Sequence, residues 1–453
     1  MRTRLRLSLV ALATAAVTAL TTGSAPAAVQ TGTATTGHLT GTLADGATWI
    51  ADVPDGWNGT LLLFSHGFGP LVARDAPTDD ARAELLAQGY ALAGSSYDPN
   101  GSMWALASAE RDQFATLDAV TARIGTPRRT LSVGQSMGGL VNARIARDGA
   151  GRVDGALGLC GLVAGGTDLD NYQLDAEYTL ARLLLPEQDV KLVRFGSADE
   201  AAATAQKLTA AVTAAQSTPQ GRARIALAAA FLNLPAWAPG RTAPAPHDWA
   251  GQQEQQYAWF ASGILSFVEG GRYAIEQSVG GNNSWNQGID YARLLAGSVH
   301  APQVRALYRA AGLDLRADLK ALTSGAAVTA DPAAVRTAEH TSSAGQSLAV
   351  PLLDVHTTAD NLVPVEQERR FADRVRAAGR GALLRQAYVE RQGHCAFTTA
   401  ETVAALRALE HRLDTGSWDA ADPAALQRSA TALGLDGAAY VPYRPAALTI
   451  SRP

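Results

Sequence analysis

Ser136 stands between two glycines in Gly134-Gln135-Ser136-Met137-Gly138, and this segment joins a strand-like run at 129–134 to a helix-like run at 138–146. A serine in that setting occupies a sharp turn. The glycines let strand and helix approach without Cβ clashes, and the hydroxyl is lifted to a helix N-terminus that favours developing negative charge. A hydroxyl is a weak nucleophile until a base takes its proton, so a histidine and a carboxylate are required further along. His394, in Gly393-His394-Cys395, follows a strand-like run at 383–389. Asp360, in His356-Thr357-Thr358-Ala359-Asp360-Asn361-Leu362-Val363-Pro364, follows another at 348–355. The three residues read as nucleophile (Ser136), general base (His394) and orienting acid (Asp360) of acyl transfer. Asp354 is the competing carboxylate, but it is predicted to lie inside its strand.

Positioning three side chains so far apart in the chain requires a scaffold that returns each to one rim. Apolar runs at 61–65, 90–96, 129–134 and 153–160 alternate with helical patterns at 79–88, 108–124 and 138–146. This βαβα order predicts a parallel sheet covered on both faces. After Gly165-Gly166 the rhythm changes to Ala/Leu/Gln-rich helical patterns without a convincing strand, and it resumes with strands at 348–355 and 383–389, followed by helices at 365–377 and 398–413. The reading is one core in two parts, 28–165 and 348–416, interrupted by a helical cap at 166–347. A C-terminal extension at 417–453, with one helix and an irregular Tyr-Val-Pro-Tyr-Arg-Pro segment, packs back on the core.

These features together resemble the α/β-hydrolase superfamily, over 41–165 and 348–413. The resemblance implies an α/β-hydrolase fold, a mostly parallel doubly wound sheet with an inserted helical cap, and it carries the chain order Ser, Asp, His. The His356 to Asp360 spacing with the following Val-Pro is similar to that superfamily's acid loop. Ser65-His66-Gly67-Phe68-Gly69-Pro70 resembles its oxyanion loop, which assigns the oxyanion hole to the N–H groups of Met137 and Phe68, with Gly67 next. The activity implied is carboxylic-ester hydrolysis by an esterase or lipase-like serine hydrolase, on a small-molecule or polymeric ester. Capped aminopeptidases of the superfamily supply the alternative, amide or peptide cleavage by the same residues, which requires a cap carboxylate for the substrate amine; Glu254, Glu269 and Glu276 are the candidates. A catalytically silent binding protein on this scaffold is the third reading. Tyr97, Trp104, Trp259 and Trp285 are candidate pocket residues among a concentration of cap aromatics, Trp237, Trp249, Tyr257, Phe260 and Phe267. Those aromatics equally suit the cap's own core.

Cys160 and Cys395 are the chain's two cysteines, and Cys395 directly follows the proposed base. They are read as a disulfide tying the histidine loop to the sheet, two buried thiols being the alternative. Secreted feruloyl esterases and tannases are similar in having a cysteine beside the histidine, but there its partner precedes the serine, where Gln135 stands here. At the N-terminus, Arg2, Arg4 and Arg6 precede an uncharged apolar run at 7–20 that ends in small residues, which reads as a signal peptide over 1–27, cleaved near Ala27. The expected product is a secreted chain without a membrane anchor. Losing those arginines takes the formal charge from −4 to −7, and with no dense Lys/Arg run nucleic acid is not an expected partner. No ligand-spaced His/Cys cluster or phosphate-cradling loop implies a metal or organic cofactor.

Overall fold

The computed structural model describes residues 35–435 and 437–451, so the proposed leader lies outside the described residues. The chain opens with a hairpin, β1 (Gly37–Thr42) and β2 (Thr48–Val53), and then enters the sheet at β3 (Thr60–Ser65). Every residue of β3, Thr-Leu-Leu-Leu-Phe-Ser, is buried, as expected of a strand covered on both faces. The helix α1 (Asp79–Ala87) leads to β4 (Ala91–Ser95), α2 (Ala109–Ile124) to β5 (Arg129–Gln135), and α3 (Met137–Asp148) to β6 (Gly155–Leu159). The chain then makes nine helices among the described residues, from α4 (Gly166–Leu184) through α8 (Ile264–Val279) to α12 (Pro332–Thr341). It returns as β7 (Leu352–Ala359), α13 (Glu366–Ala377), β8 (Leu384–Gln392), α14 (Thr399–Thr415), α15 (Pro423–Thr431) and β9 (Tyr440–Val441).

The strands form one sheet in the order β1-β2-β4-β3-β5-β6-β7-β8-β9. From β4 to β8 all neighbours are parallel, whereas β1, β2 and β9 pair antiparallel at the two edges. This is the α/β-hydrolase fold. Because β6 and β7 are adjacent and parallel, the helical insert leaves and re-enters the sheet at a single junction. Its apolar residues, among them Leu174, Phe231 and Leu265, share one continuous core with Leu140 and Val141 of α3. The described residues accordingly form one compact unit.

Three differences from the sequence reading have local causes. The edge hairpin is absent from the sequence reading, because β1 is half exposed and carries no apolar alternation. The strand expected at 348–355 starts and ends later, at Leu352–Ala359, since Pro351 cannot donate to a ladder and the N–H groups of Ala349 and Val350 turn to Ala146 O at the end of α3. The tail segment expected to be irregular contributes β9, whose two residues pair with Tyr388 and Val389.

The junction of β5 and α3 shows why glycine is needed there. A Cβ on Gly138 would stand 1.9 Å from Ser65 O, and one on Gly134 would stand 2.0 Å from Gly138 O. Both contacts are with backbone, so no side-chain rotation relieves them. Gly138→Ala is therefore expected to destabilise the fold by about 3 kcal/mol or prevent folding; an unchanged denaturation midpoint would contradict the close approach of β3 and α3.

Candidate active site

Ser136 follows β5 with φ 59° and ψ −123°, a backbone conformation that L residues rarely adopt. Its N–H bonds to Leu159 O at 3.0 Å and its carbonyl accepts from Gly139 N at 2.8 Å, so hydrogen bonds on both sides hold the turn. Ser136 Oγ lies 2.8 Å from His394 Nε2. His394 Nδ1 lies 2.7 Å from Asp360 Oδ2. The three side chains, separated by up to 258 positions, thus form one hydrogen-bonded chain at the carboxyl ends of β5, β7 and β8.

Asp360 is fully buried, and its second oxygen, Oδ1, accepts the N–H groups of Leu362 and Val363 at 2.9 and 2.8 Å. Burial works against its charge, but the nearby His394 and the bond to His356 outweigh it and hold the carboxyl well below the usual carboxylate range. His356 is itself buried in β7, with Nε2 2.8 Å from Val363 O and 3.5 Å from Asp360 Oδ2, and Nδ1 3.0 Å from Glu368 Oε1. Both ring nitrogens therefore face acceptors. Burial disfavours the imidazolium, yet Asp360 and Glu368 push its pKa up to about 10. Asp354 lies inside β7 as expected, and its carboxyl oxygens have no hydrogen-bond partner. Burial first and Glu368 second push it well above the carboxylate range, which suits a neutral acid rather than a partner for His394.

Cys160 and Cys395 are bonded to each other, with Cα atoms 5.3 Å apart. Both take positive φ, 49° and 53°, and Cys160 N bonds to Val355 O, so the bridge links the end of β6 to the histidine loop. Cys395 Sγ lies 3.3 Å from His394 Nε2. With His394 these sulfurs make a compact group, but sulfurs joined in a disulfide are not thiolates and do not serve as metal ligands.

The loop after β3 runs beside the serine. A Cβ on Gly67 would stand 3.0 Å from Ser136 Cβ, so the bare backbone allows the approach. Tyr97, with φ 64°, stacks on His66 at 4.2 Å between ring centroids and donates its hydroxyl to His66 O at 3.0 Å. Burial lowers the His66 pKa, leaving a neutral ring against the loop. Met137 is the first residue of α3, so its N–H is among the helix donors without an intrahelical acceptor, and Phe68 lines the same cleft as Ser136.

Of the pocket residues expected from sequence, only Trp104 lines that cleft. Tyr97 is completely buried behind the loop after β3. Trp259 packs inside the insert and donates to Trp237 O, and Trp285 is held by Asn171, whose Oδ1 accepts its N–H. The cleft walls come instead from Phe68, Trp104 and Leu162 on one side and Gln173, Phe267 and Ile275 of α4 and α8 on the other. Sequence periodicity marks α4 and α8 as amphipathic but does not say which face turns toward Ser136. The cleft is narrow, with about 30 Å³ in which the centre of a water molecule fits. A wider groove of about 680 Å³ between Gln216, Arg222 and Tyr257 is remote from the serine.

The sheet with its covering helices has the α/β-hydrolase architecture, and Ser136, His394 and Asp360 meet at its carboxyl edge. No protein-family model matches the chain. A curated relative is the o-phthalyl amidase of Xanthobacter agilis, 29% identical over 412 residues that cover 84% of this chain and 88% of the relative. Among solved structures, an esterase from Aspergillus oryzae is similar over 83% of this chain and 78% of its own, with a TM-score of 0.43 and 13% identity. The α/β-hydrolase domain-containing protein 10 from mouse is similar over 84% and 99%, with a TM-score of 0.38 and 13% identity.

Two stability predictions follow from this geometry. Replacing both cysteines with serine is expected to cost about 3 kcal/mol in denaturant unfolding, because the bridge closes a loop of 235 residues; an unaltered free energy would show that it constrains little. The second concerns His356, whose folded pKa of about 10 lies above its ordinary 6.5. Its stabilising contribution is complete below pH 6.5 and is lost as pH rises through 10. The stability gap between wild type and His356→Gln should therefore narrow from pH 6 to pH 10, and a gap independent of pH would mean a neutral ring in the fold.

Proposed function

We propose that the protein hydrolyses carboxylic acyl compounds through an acyl-enzyme on Ser136. His394 takes the serine proton as the hydroxyl attacks the carbonyl, and Asp360 holds the imidazole in the required tautomer and stabilises the imidazolium that forms. The N–H groups of Met137 and Phe68 face the developing oxyanion, each contributing about 3 kcal/mol to lowering the barrier, with Gly67 as the neighbouring donor. Protonated His394 then gives its proton to the leaving group. Water, activated by the same histidine, releases the acid and restores Ser136. The observation that carries this reading is the unbroken chain of 2.8 and 2.7 Å contacts from hydroxyl to imidazole to buried carboxylate.

The cleft supports a compact apolar or aromatic acyl group, given the Phe68, Trp104 and Phe267 rings around the serine. Carboxylic esters are the first substrates proposed. Amide cleavage is the second reading, favoured by the relative that is an o-phthalyl amidase. The aminopeptidase form of it loses support, because none of the three candidate carboxylates lines the cleft. Glu254 pairs with Arg241, Glu269 lies by Arg272, and Glu276 accepts from the N–H groups of Arg194 and Phe195. We further propose export through the Arg-led leader, which the Cys160–Cys395 bond supports as a mark of an oxidising compartment. No helix among the described residues is long and apolar enough to cross a membrane.

Ser136→Ala should lower kcat by about 10⁴-fold or more on p-nitrophenyl benzoate and abolish fluorophosphonate labelling. Benzoyl anilide measured beside the ester separates the two readings. Anilide turnover exceeding ester turnover would replace the ester reading, and retained activity of Ser136→Ala would overturn the acyl-enzyme.

A further inference from the structure

Gln173 is the polar side chain in the cleft that nothing in the reaction uses. It projects from α4 beside Leu169, lines the same cleft as Ser136 and His394, and is 6% exposed. Several other buried polar residues of this helix have hydrogen-bond partners, although the Asp170 carboxyl oxygens do not. Asn171 accepts from Trp285 N, Asp175 from Tyr291 Oη, and Glu177 from Arg272. Among the described residues the Gln173 amide has no hydrogen-bond partner, and its polar atoms open onto the cleft, where a bound group can pair with them.

Around it the cleft is apolar and ringed, with Phe68, Trp104 and Phe267 close to the serine. Such walls accept a flat ring, while an amide offers both donors and an acceptor at one point on the surface. No lysine or arginine is among the residues lining the cleft. Arg272, a buried cation of α8, is already surrounded by Asp170, Glu177 and Glu269. An uncharged substituent therefore fits this environment better than a carboxylate.

We infer that Gln173 is the specificity-determining residue of the acyl cleft, and that it selects compact aromatic acids carrying an uncharged hydrogen-bonding ring substituent such as a hydroxyl. A site that hydrogen-bonds such a group discriminates against the unsubstituted ring, because rejecting the group leaves the buried amide unpaired. This rests on the proposed Ser136 acyl-enzyme and names its substrate class.

The test compares kcat/KM for p-nitrophenyl benzoate, 3-hydroxybenzoate, 4-hydroxybenzoate and 3-carboxybenzoate on wild type and Gln173→Leu, with Gln173→Met as a second variant should the first fold poorly. Taking each substituted-to-plain ratio, then dividing wild type by variant, cancels the intrinsic reactivity of the esters. At least one hydroxybenzoate ratio should fall about tenfold in the variant, plain benzoate serving as the reference within each enzyme and fluorophosphonate labelling reporting that Ser136 still reacts. Ratios unchanged by the substitution would overturn the role of Gln173. A dependence confined to the carboxybenzoate would overturn the uncharged substituent. Failure of the underlying acyl-enzyme would appear separately, as hydrolysis that survives Ser136→Ala.

Discussion

The site depends on a buried carboxylate kept ionised. Asp360 receives two backbone N–H groups on one oxygen and faces two histidines with the other, and it is these contacts that offset its desolvation. The backbone donors come from the turn just beyond it, at Leu362 and Val363, and Val363 also accepts from His356. One short loop therefore satisfies the acid, anchors the second histidine and aims the acid at His394. The surrounding sheet provides what a loop alone lacks, a rigid edge at which β5, β7 and β8 end side by side.

The second histidine changes how the acid should be regarded. With Glu368 behind it and Asp360 ahead, His356 lies between two carboxylates, and Glu368 is in turn bound by Gln386 of β8. The reacting end of the chain is therefore the last member of a polar series that runs through β7 into α13. Such a series holds geometry because every member is constrained by the next. The Cys160–Cys395 bridge restrains the remaining mobile piece, the loop carrying His394, from its other side.

Much of this was legible in the residues. The Ser136 elbow, the ordering of Asp360 and His394 and the exclusion of Asp354 followed from strand-like runs whose ends marked the rim, since short buried apolar segments bounded by glycines leave a strong local signal. The helical character of the insert was legible for the same reason. Its orientation was not. Whether Gln173 and Phe267 face the serine depends on how α4 and α8 are rotated about their own axes, a property of tertiary packing that neither periodicity nor composition encodes. Tyr97 illustrates a subtler limit: its position after β4 correctly places it near the oxyanion loop, but its positive φ turns the ring under His66 instead of into the cleft. β9 was missed because two residues carry no period at all.

The single junction between β6 and β7 has an architectural consequence. The insert is tied to the sheet at two neighbouring points, so its length and internal arrangement impose no strain on strand register. What it must conserve is the apolar seam against α3 and the two helices that wall the cleft. The α4 and α8 walls of the cleft and the Ser136–His394–Asp360 chain are thus separable in this molecule: the former can drift with the insert while the latter remains fixed at the sheet edge.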